Sequence, residues 1–297
     1  MTLICNAATP GLTREKLDAM SALGKEYYGA EPEIGILSPD HAAEFIFPDG
    51  INNVATFRAA IGEKAASINV DFALQPLAHR RKKLLIADMD STIINEECID
   101  ELAAEIGKYD EIAEITERAM RGELDFETAL ETRVASLKGL KVEALQQAFE
   151  SRISLTQGAR ALVQTMNANG ATTALISGGF TFFTERVAAL TGFQHHRANV
   201  LLIEEQALTG TVQKPILGRA EKEAALVEFV QDTNISMDET LAVGDGANDL
   251  AMINRSGLGV AFCAKPAVAE AADVGITKRD LRALLYLQGY SDTHILE

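Results

Sequence analysis

Two carboxylates directly follow an apolar segment in the first third of the chain. Leu84–Ala87 leads into Asp88 and, two positions later, Asp90, and the hydroxyl residues Ser91 and Thr92 come next. Such an apolar run is typical of a buried strand in a parallel sheet, and open α/β sheets bind ligands at the carboxyl ends of their strands. Buried acids are costly unless a cation or a reaction needs them. The pair therefore indicates a chemical centre, with a helix N-cap as the simpler alternative.

A second acidic group follows another apolar segment, residues 240–243. Asp245 lies between two glycines, and Asn248 and Asp249 then open the next helix. Oxygen ligands suit Mg²⁺, so Asp245 can join Asp88 around one hard cation. Either segment alone could be a turn with a cap. Both together, each following a predicted strand, favour a metal site.

A third strand end carries a possible anion site. Ser177 and Gly178 follow the apolar run 172–176 and precede a helix, where a hydroxyl and free backbone N–H groups can bind phosphate. Alone this is a weak signal, because most strand-to-helix turns favour serine and glycine. Lys222 lies one helical element before the Asp245 strand, although a single lysine on a helix is usually a solvated side chain.

These motifs, in this order, resemble the four motifs of the haloacid dehalogenase superfamily, and within it those of the phosphoserine phosphatase family. Further matching segments lie at 88–100, 119–137 and 261–266, and the resemblance covers about residues 82–280. One departure concerns Lys222, which is followed by Glu223 where the family usually has a small residue. Lys214 therefore competes for the same role, but the apolar spacing after Lys222 favours Lys222.

The resemblance implies Mg²⁺-dependent hydrolysis of O-phospho-L-serine to L-serine and phosphate, the last step of serine biosynthesis. Asp88 would be the nucleophile that forms an aspartyl-phosphate, and Asp90 would be the general acid and base. Mg²⁺ would be held by Asp88, the backbone carbonyl of Asp90 and Asp245, with Asp249 orienting these ligands.

The resemblance also assigns substrate contacts on both sides of the site. Ser177, Gly178 and Lys222 would hold the phosphate oxygens, with help from Asn248. Glu97 would meet the substrate ammonium and Arg133 its carboxylate, while two apolar residues, Met120 and Phe126, would close the pocket. Without the resemblance, Glu97 and Arg133 would be interpreted as surface charges on helices.

Two other functions remain open from the sequence. One is a related phosphatase, phosphotransferase or mutase that acts on another small amine phosphate. The other is a non-catalytic amino-acid sensor that uses the N-terminal region, which a complete catalytic set disfavours. The acid at Asp90 argues against a dehalogenase, which needs no such group.

Composition predicts a cytoplasmic enzyme. The net charge of −16 argues against nucleic acid or an anionic membrane as a partner. No apolar run approaches the roughly 18 residues of a membrane span, and no signal peptide is apparent at the N-terminus. The three cysteines are widely spaced and form no zinc or disulfide pattern, which indicates a reducing compartment.

Spacing predicts two units. Residues 82–297 would form a doubly wound parallel α/β sheet with a helical cap inserted at about 94–160, because 89 positions separate Asp88 from Ser177 and a βα crossover needs only roughly 30. Residues 1–80 would form an α+β ferredoxin-like, ACT-like domain. That domain would serve for dimerisation, giving a possible homodimer, or as a ligand sensor.

The expected elements can be stated with bounds. In the N-terminal unit we expect strands at 1–7, 33–37, 43–47 and 69–77, and helices at Arg14–Tyr28 and 53–68. In the cap we expect helices at 96–106, Tyr109–Met120, 125–136 and 142–149. After the third motif we expect a hairpin of 198–203 and 206–212, preceded by a surface turn at His195 and His196 rather than a metal site, and strands near 241–244, 258–262 and 273–276.

Overall fold

The computed structural model describes residues 1–5 and 11–297, and its N-terminal part contains a four-stranded antiparallel sheet with two helices. The strand order is β2-β3-β1-β4. The elements are β1 (Thr2–Ile4), α1 (Arg14–Tyr28), β2 (Glu33–Ser38), β3 (Ala42–Ile46), α2 (Val54–Ile68) and β4 (Asp71–Ala73).

Local sequence signals account for the two helices of this part. Thr13 caps α1 through its hydroxyl, and Gly29 ends it in the left-handed conformation. Asn53 caps α2 through its side-chain oxygen, which accepts the N–H of Thr56. The predicted β-α-β-β-α-β order is confirmed, but the last strand is much shorter than the expected 69–77, and the first spans only Thr2–Ile4. Positions 6 and 7 of the expected first strand lie outside the described residues.

The rest of the chain builds a parallel sheet flanked by helices. Its elements are β5 (Leu84–Ala87), α3 (Cys98–Ala104), α4 (Tyr109–Met120), α5 (Phe126–Ser136), α6 (Val142–Arg152), α7 (Ala159–Ala168), β6 (Thr172–Phe180), α8 (Thr181–Thr191), β7 (His195–Asn199), β8 (Leu201–Glu204), β9 (Ala207–Val212), α9 (Arg219–Thr233), β10 (Thr240–Gly244), α10 (Leu250–Arg255), β11 (Gly259–Phe262), α11 (Pro266–Ala271), β12 (Val274–Ile276) and α12 (Ala283–Leu287).

The six-stranded sheet has the order β12-β11-β10-β5-β6-β7, and every pairing in it is parallel. The predicted α/β fold with a parallel sheet is thus confirmed. β5 lies between β6 and β10, so the chain leaves it in one direction and later returns on its other side. This reversal is the switch point at which open α/β sheets bind ligands. Burial of Leu84–Ala87 on both faces explains why that strand reads as continuously apolar.

Four helices, α3 to α6, form an insertion between β5 and the crossover helix α7, and we call them the helical insertion. Tyr109–Met120 has the predicted bounds. Asp125 caps α5 through its carboxylate rather than belonging to it. The two connections to the sheet are tied together, because Ile94 pairs with Leu155 and Glu96 accepts hydrogen bonds from Ser154.

The prediction for residues 195–203 is wrong in part. His195 and His196 do not form a turn but belong to β7, the edge strand that pairs with β6. The hairpin of β8 and β9 therefore starts at Leu201 instead of 198. An edge strand needs no apolar side chain on its outer side, so the polar sequence of β7 gave no strand signal.

The N-terminal sheet packs against the end of the chain. Asp71 accepts hydrogen bonds from the backbone N–H groups of Thr277 (2.8 Å) and Lys278 (3.1 Å). Arg80 donates to the carbonyl of Leu287 (2.9 Å) and pairs with Glu44 at 2.5 Å. No helix within residues 1–5 and 11–297 combines the length and the apolar character needed to cross a membrane.

Candidate active site

Three neighbouring strands bring the predicted motifs together at the carboxyl ends of the parallel strands, which we call the sheet edge. Asp88 follows β5, Asp245 follows β10, and Ser177 lies within the last part of β6. The register places Ala87 opposite Val243 on one side and Leu175 on the other. The three polar side chains therefore converge because of strand order, although they are far apart in sequence.

Lys222 is the predicted lysine that reaches this edge. Its ammonium is completely buried, 2.7 Å from Asp88 Oδ1 and 2.6 Å from Asp249 Oδ1. Burial alone lowers the pKa of Lys222, but the carboxylates of Asp249 and Asp88 outweigh it and hold the ammonium protonated. The competitor Lys214 is exposed and pairs with Glu131 instead. Of the two candidate lysines, Lys222 is therefore the one whose ammonium contacts Asp88.

Asp90 is held between the sheet and the insertion. Its Oδ1 accepts the N–H of Cys98 (2.8 Å) and its Oδ2 accepts the hydroxyl of Ser177 (3.0 Å). Burial and the adjacent Asp88 carboxylate raise the pKa of Asp90. A Cβ at Gly179 would lie 2.7 Å from Asp90 Oδ2, so a larger residue there would displace this carboxylate.

The acidic cluster fits a divalent cation. Asp88, Asp245 and Asp249 each place one carboxylate oxygen within 4.8 Å of the others. Both oxygens of Asp249 are engaged, one by Lys222 and the other by the N–H groups of Asp245 and Gly246. Asp245 is 4% exposed, and no cationic side chain of residues 1–5 and 11–297 lies within 4.0 Å of it.

The raised pKa of Asp245 also indicates that the acidic cluster fits a divalent cation. Burial and the carboxylates of Asp249 and Asp88 raise the pKa of Asp245 well above its usual range. Such a group is costly as an anion unless a cation approaches it. Carboxylate oxygens are the ligands that Mg²⁺ prefers, so the cluster has the donor chemistry of a magnesium site.

A narrow pocket opens beside Asp88 and Asp90. Its wall includes six of the residues predicted to contact substrate, namely Glu97, Met120, Phe126, Arg133, Gly178 and Asn248. Ser177 and Lys222 lie behind this wall and contact it through Asp90 and Asp88. Asn248 Oδ1 is the one buried side-chain oxygen or nitrogen in the described ranges that has no hydrogen-bond partner. It lies on the pocket wall, where a ligand can supply that partner.

The insertion closes the pocket over the glycine turn. A Cβ at Gly178 would lie 2.6 Å from the Phe126 ring, and one at Gly246 would lie 2.7 Å from Met120 Sδ. Both glycines are therefore needed for close contact between the insertion and the sheet edge. Phe126 and Met120, for which the resemblance implies a closing role, lie at these contacts and on the pocket wall.

Glu97 and Arg133 lie on the insertion side of the pocket. Burial and the carboxylates of Asp90 and Asp245 raise the pKa of Glu97 well above its usual range. Glu97 Oε1 accepts the hydroxyl of Ser91 at 2.6 Å. Arg133 is 2% exposed, so it is not the solvated surface arginine that the helix pattern alone would give.

The sequence did not reveal the groups that hold Arg133. Its Nη1 donates to Thr116 Oγ1 (3.0 Å), and the Thr116 hydroxyl donates to Asp100 Oδ1 (2.6 Å). Burial raises the pKa of Asp100 to about 6. Thr116 thus separates the guanidinium from a nearby carboxylate. A threonine on an amphipathic helix gives no signal of such a role before the packing is known.

Asn199 is a second residue that the sequence did not reveal. Its Nδ2 donates to the carbonyl oxygens of Gly178 (2.8 Å) and Leu217 (3.2 Å), and its Oδ1 accepts the N–H of Leu217 (2.7 Å). The side chain therefore connects the glycine turn to the segment that begins the Lys222 helix. The only available signal was an asparagine at the end of an unrecognised strand.

Comparison with known proteins agrees with this geometry. The family model of haloacid dehalogenase-like hydrolases matches residues 82–257. A phosphoserine phosphatase from Archaeoglobus fulgidus is 43% identical over 243 residues, which cover 81% of this chain and 70% of the relative.

Solved structures show the same relationship. A phospho-aspartyl intermediate analogue of phosphoserine phosphatase is 40% identical, with a TM-score of 0.67, and the match covers 69% of this chain and 98% of that one. A HAD-family hydrolase from Salmonella enterica serovar Typhi is 30% identical, with a TM-score of 0.81, and the match covers 96% of both chains. By sequence and by fold, the chain belongs to the haloacid dehalogenase-like hydrolases, within the phosphoserine phosphatase family, and is a phosphatase.

Proposed function

We propose that the chain hydrolyses O-phospho-L-serine to L-serine and phosphate through an aspartyl-phosphate. The observation that carries the proposal is the position of Glu97 and Arg133 on the same pocket as Asp88 and Asp90. A substrate whose phosphate lies at Asp88 then meets a carboxylate and a guanidinium at its other end. These groups complement the ammonium and carboxylate of an amino acid. The related structure of a phospho-aspartyl intermediate analogue supports the covalent step.

Asp88 is proposed as the nucleophile. Its Oδ1 accepts the N–H of Met89 and pairs with Lys222, which fixes the carboxylate and leaves Oδ2 for attack on phosphorus. Attack forms an O–P bond and breaks the bond from phosphorus to the serine oxygen, so hydrolysis is divided into two easier steps.

Asp90 is proposed as the acid and then the base. Its raised pKa favours a bound proton in the free enzyme, which can pass to the departing serine oxygen. The resulting carboxylate then takes a proton from the water that cleaves the aspartyl-phosphate. The hydrogen bonds from Cys98 and Ser177 keep this group in place during both steps.

Mg²⁺ is the proposed cofactor, held by Asp88, the Asp90 backbone carbonyl and Asp245, with Asp249 orienting the ligand groups. When bound, the ion supplies charge neutralisation and polarisation of the phosphoryl oxygens. Ser177, Gly178 N–H and Lys222 are proposed to hold the phosphate. Asn248 is proposed to assist substrate or water, because its Oδ1 can accept a hydrogen bond from either.

The remaining parts of the proposal concern organisation and cellular role. Residues 82–297 would be the catalytic domain, with a cap at about 94–160 that admits substrate. Residues 1–80 would be an ACT-like domain, a dimerisation module or a ligand sensor; the antiparallel β-α-β-β-α-β arrangement supports the domain assignment. The reaction would complete serine biosynthesis in the cytoplasm.

The test is phosphate release from four substrates at equal concentration. These are phosphoserine, phosphothreonine, phosphoethanolamine and p-nitrophenyl phosphate, with Mg²⁺ present. We expect the highest kcat/KM for phosphoserine, because it alone combines the small size, the ammonium and the carboxylate that the pocket matches. A clear preference for phosphoethanolamine would instead make the enzyme a phosphatase for another amine phosphate.

A further inference from the structure

Ser91 adopts a backbone conformation that is unusual for serine. Its φ is 54°, in the left-handed region, which costs a residue other than glycine energy unless its surroundings impose it. This conformation is found between Asp90 and Glu97, where the chain leaves the sheet for the insertion. It directs the Ser91 hydroxyl to Glu97 Oε1, 2.6 Å away. The strained residue therefore holds the carboxylate that we assign to the substrate ammonium.

A residue from the far end of the chain supports this turn. Arg279 lies on the loop after β12, and its Nη2 donates to the backbone carbonyl of Ser91 at 3.2 Å. Arg279 is exposed and is absent from the pocket wall, and its side chain also interacts with Cys263. Its contact within the site is thus with the backbone of the turn rather than with the groups around the phosphate.

The loop that carries Arg279 is held by the N-terminal sheet. Asp71, at the start of β4, accepts three hydrogen bonds from it: from Thr277 N (2.8 Å), Thr277 Oγ1 (2.8 Å) and Lys278 N (3.1 Å). Asp71 is 8% exposed. A buried carboxylate with three donors fixes the loop closely, because breaking such a set leaves an unpaired buried charge.

We propose that Arg279 and Ser91 are positioning residues for Glu97, and that Asp71 of the N-terminal sheet acts on the same carboxylate by fixing the Arg279 loop. The inference rests on the proposed function, in which Glu97 binds the substrate ammonium. The N-terminal part then contributes to substrate choice without touching substrate. Its influence follows a continuous path of hydrogen bonds from β4 to the pocket.

The expected effect is selective for substrate. Removing one supporting hydrogen bond should lower kcat/KM for phosphoserine by about 3- to 10-fold. Most of the change should appear in KM, because Glu97 binds a part of the substrate that does not react. Hydrolysis of p-nitrophenyl phosphate, which has no ammonium, should change by less than about 2-fold.

The main test is Arg279→Ala, measured on both substrates in the full chain with Mg²⁺. The control is Lys278→Ala, which removes the neighbouring positive charge and the contact of Lys278 Nζ with Asn69 Oδ1 (2.8 Å), but no contact with Ser91. Arg279→Lys should recover part of the phosphoserine activity, because an ammonium can still donate to a carbonyl. If Lys278→Ala reproduces the loss, the effect does not come from the contact between Arg279 and Ser91, and the proposal is wrong.

Ser91→Gly tests the hydroxyl separately from the backbone. Glycine adopts the left-handed conformation without strain, so the turn is kept while the contact to Glu97 is lost. We expect the same selective loss as for Arg279→Ala. The double variant should lose less than the product of the two single losses, since both changes act on Glu97.

Asp71→Ala tests the last step of the path. Alanine removes both carboxylate oxygens, so the N–H groups of Thr277 and Lys278 and the Thr277 hydroxyl lose their acceptor, which should free the loop. We expect a smaller loss in the same direction, with thermal unfolding recorded as a check on folding. An unchanged phosphoserine KM in a folded Asp71→Ala variant would remove the N-terminal sheet from the proposal.

Glu97→Gln distinguishes failure of this inference from failure of the proposed function. If that change selectively reduces phosphoserine turnover while Arg279→Ala does not, the function stands and the positioning role is wrong. If the unmodified enzyme shows no preference for phosphoserine, both fall together. Equal losses on the two substrates in Arg279→Ala would also overturn the positioning role.

Discussion

At the edge of the parallel sheet, Lys222 pairs directly with carboxylates, whereas the two ionisable residues on the insertion side of the pocket, Glu97 and Arg133, each contact a hydroxyl group. Lys222 contacts both Asp88 and Asp249. By contrast, Thr116 stands between Arg133 and Asp100. Direct pairs fix groups that must not move during the reaction. A guanidinium held through a neutral hydroxyl keeps its charge available for a ligand. Substitutions at the sheet edge should therefore lower the rate of hydrolysis of every substrate, whereas substitutions in the insertion should lower it for only some substrates.

The largest expected effect is that of Asp88→Asn at the sheet edge. The amide keeps the size of the side chain but cannot attack phosphorus, so turnover should fall by on the order of 10⁴-fold or more on phosphoserine and p-nitrophenyl phosphate alike. Phosphate release measures the loss, and circular dichroism checks the fold. Retention of full activity would contradict the proposed mechanism.

Removal of the metal ion should also affect the sheet edge, and it should lower the hydrolysis of every substrate. Chelation with EDTA should reduce hydrolysis of both substrates to background, and added Mg²⁺ should restore it. Zn²⁺ should restore little, because the ligands of the site are all oxygen atoms. Asp245→Asn should raise the Mg²⁺ concentration needed for half-maximal rate. Undiminished turnover after thorough chelation would show that the acidic cluster has another purpose.

Arg133→Ala should distinguish the role of the insertion side of the pocket from that of the sheet edge. Loss of a charge-assisted contact in a closed pocket is worth roughly 1.5–3 kcal/mol. The kcat/KM for phosphoserine should therefore fall on the order of 10- to 100-fold. Hydrolysis of p-nitrophenyl phosphate should change far less, and Arg133→Lys should recover little, since an ammonium lacks the planar fork. A similar loss on both substrates would place Arg133 at the phosphate or in the structure of the insertion.

Thr116→Val gives the smallest and most specific test. Valine keeps the shape of threonine but cannot accept from Arg133 or donate to Asp100, so the guanidinium should shift toward that carboxylate. We expect a phosphoserine KM about 3- to 10-fold higher, with kcat nearly unchanged. Thr116→Ser, which restores the hydroxyl, should return KM close to its original value. No change in KM would mean that packing and the hydrogen bond from Arg133 Nε to the Ala129 carbonyl hold the guanidinium without Thr116.

The difference between the two sides also explains what the sequence could predict. Strand ends carry their chemistry in short contiguous motifs, so Asp88, Asp245 and Ser177 were identified from local pattern and their convergence from sheet topology. The four helices of the insertion were located to within a few residues because apolar spacing is a local signal, although Asp125 is the cap of α5 rather than its first residue. The sequence favoured Lys222 over Lys214 only through the apolar spacing that follows it, whereas the structure shows that Lys222 is buried beside Asp88 and that Lys214 is exposed.

The rest depends on contacts between distant segments. Thr116, Asn199 and Arg279 act through hydrogen bonds to residues that are not adjacent in sequence, and no composition or periodicity marks them. The strained φ of Ser91 was likewise invisible, because serine in a motif normally gives no sign of a left-handed turn. Strand β7 was missed because its polar sequence resembles that of a turn.

The contact between Asp71 and Thr277 also has a consequence during synthesis. The two residues are 206 positions apart, and a ribosome that adds about 5–20 residues per second needs roughly 10–40 s to make the intervening chain. Throughout this time the Asp71 carboxylate has no partner, and the β4 side of the N-terminal sheet faces solvent or chaperones. The loop that bears Arg279 can be fixed only when almost the whole chain has been made. The turn at Ser91 is therefore among the last parts of the nascent enzyme to reach its final form.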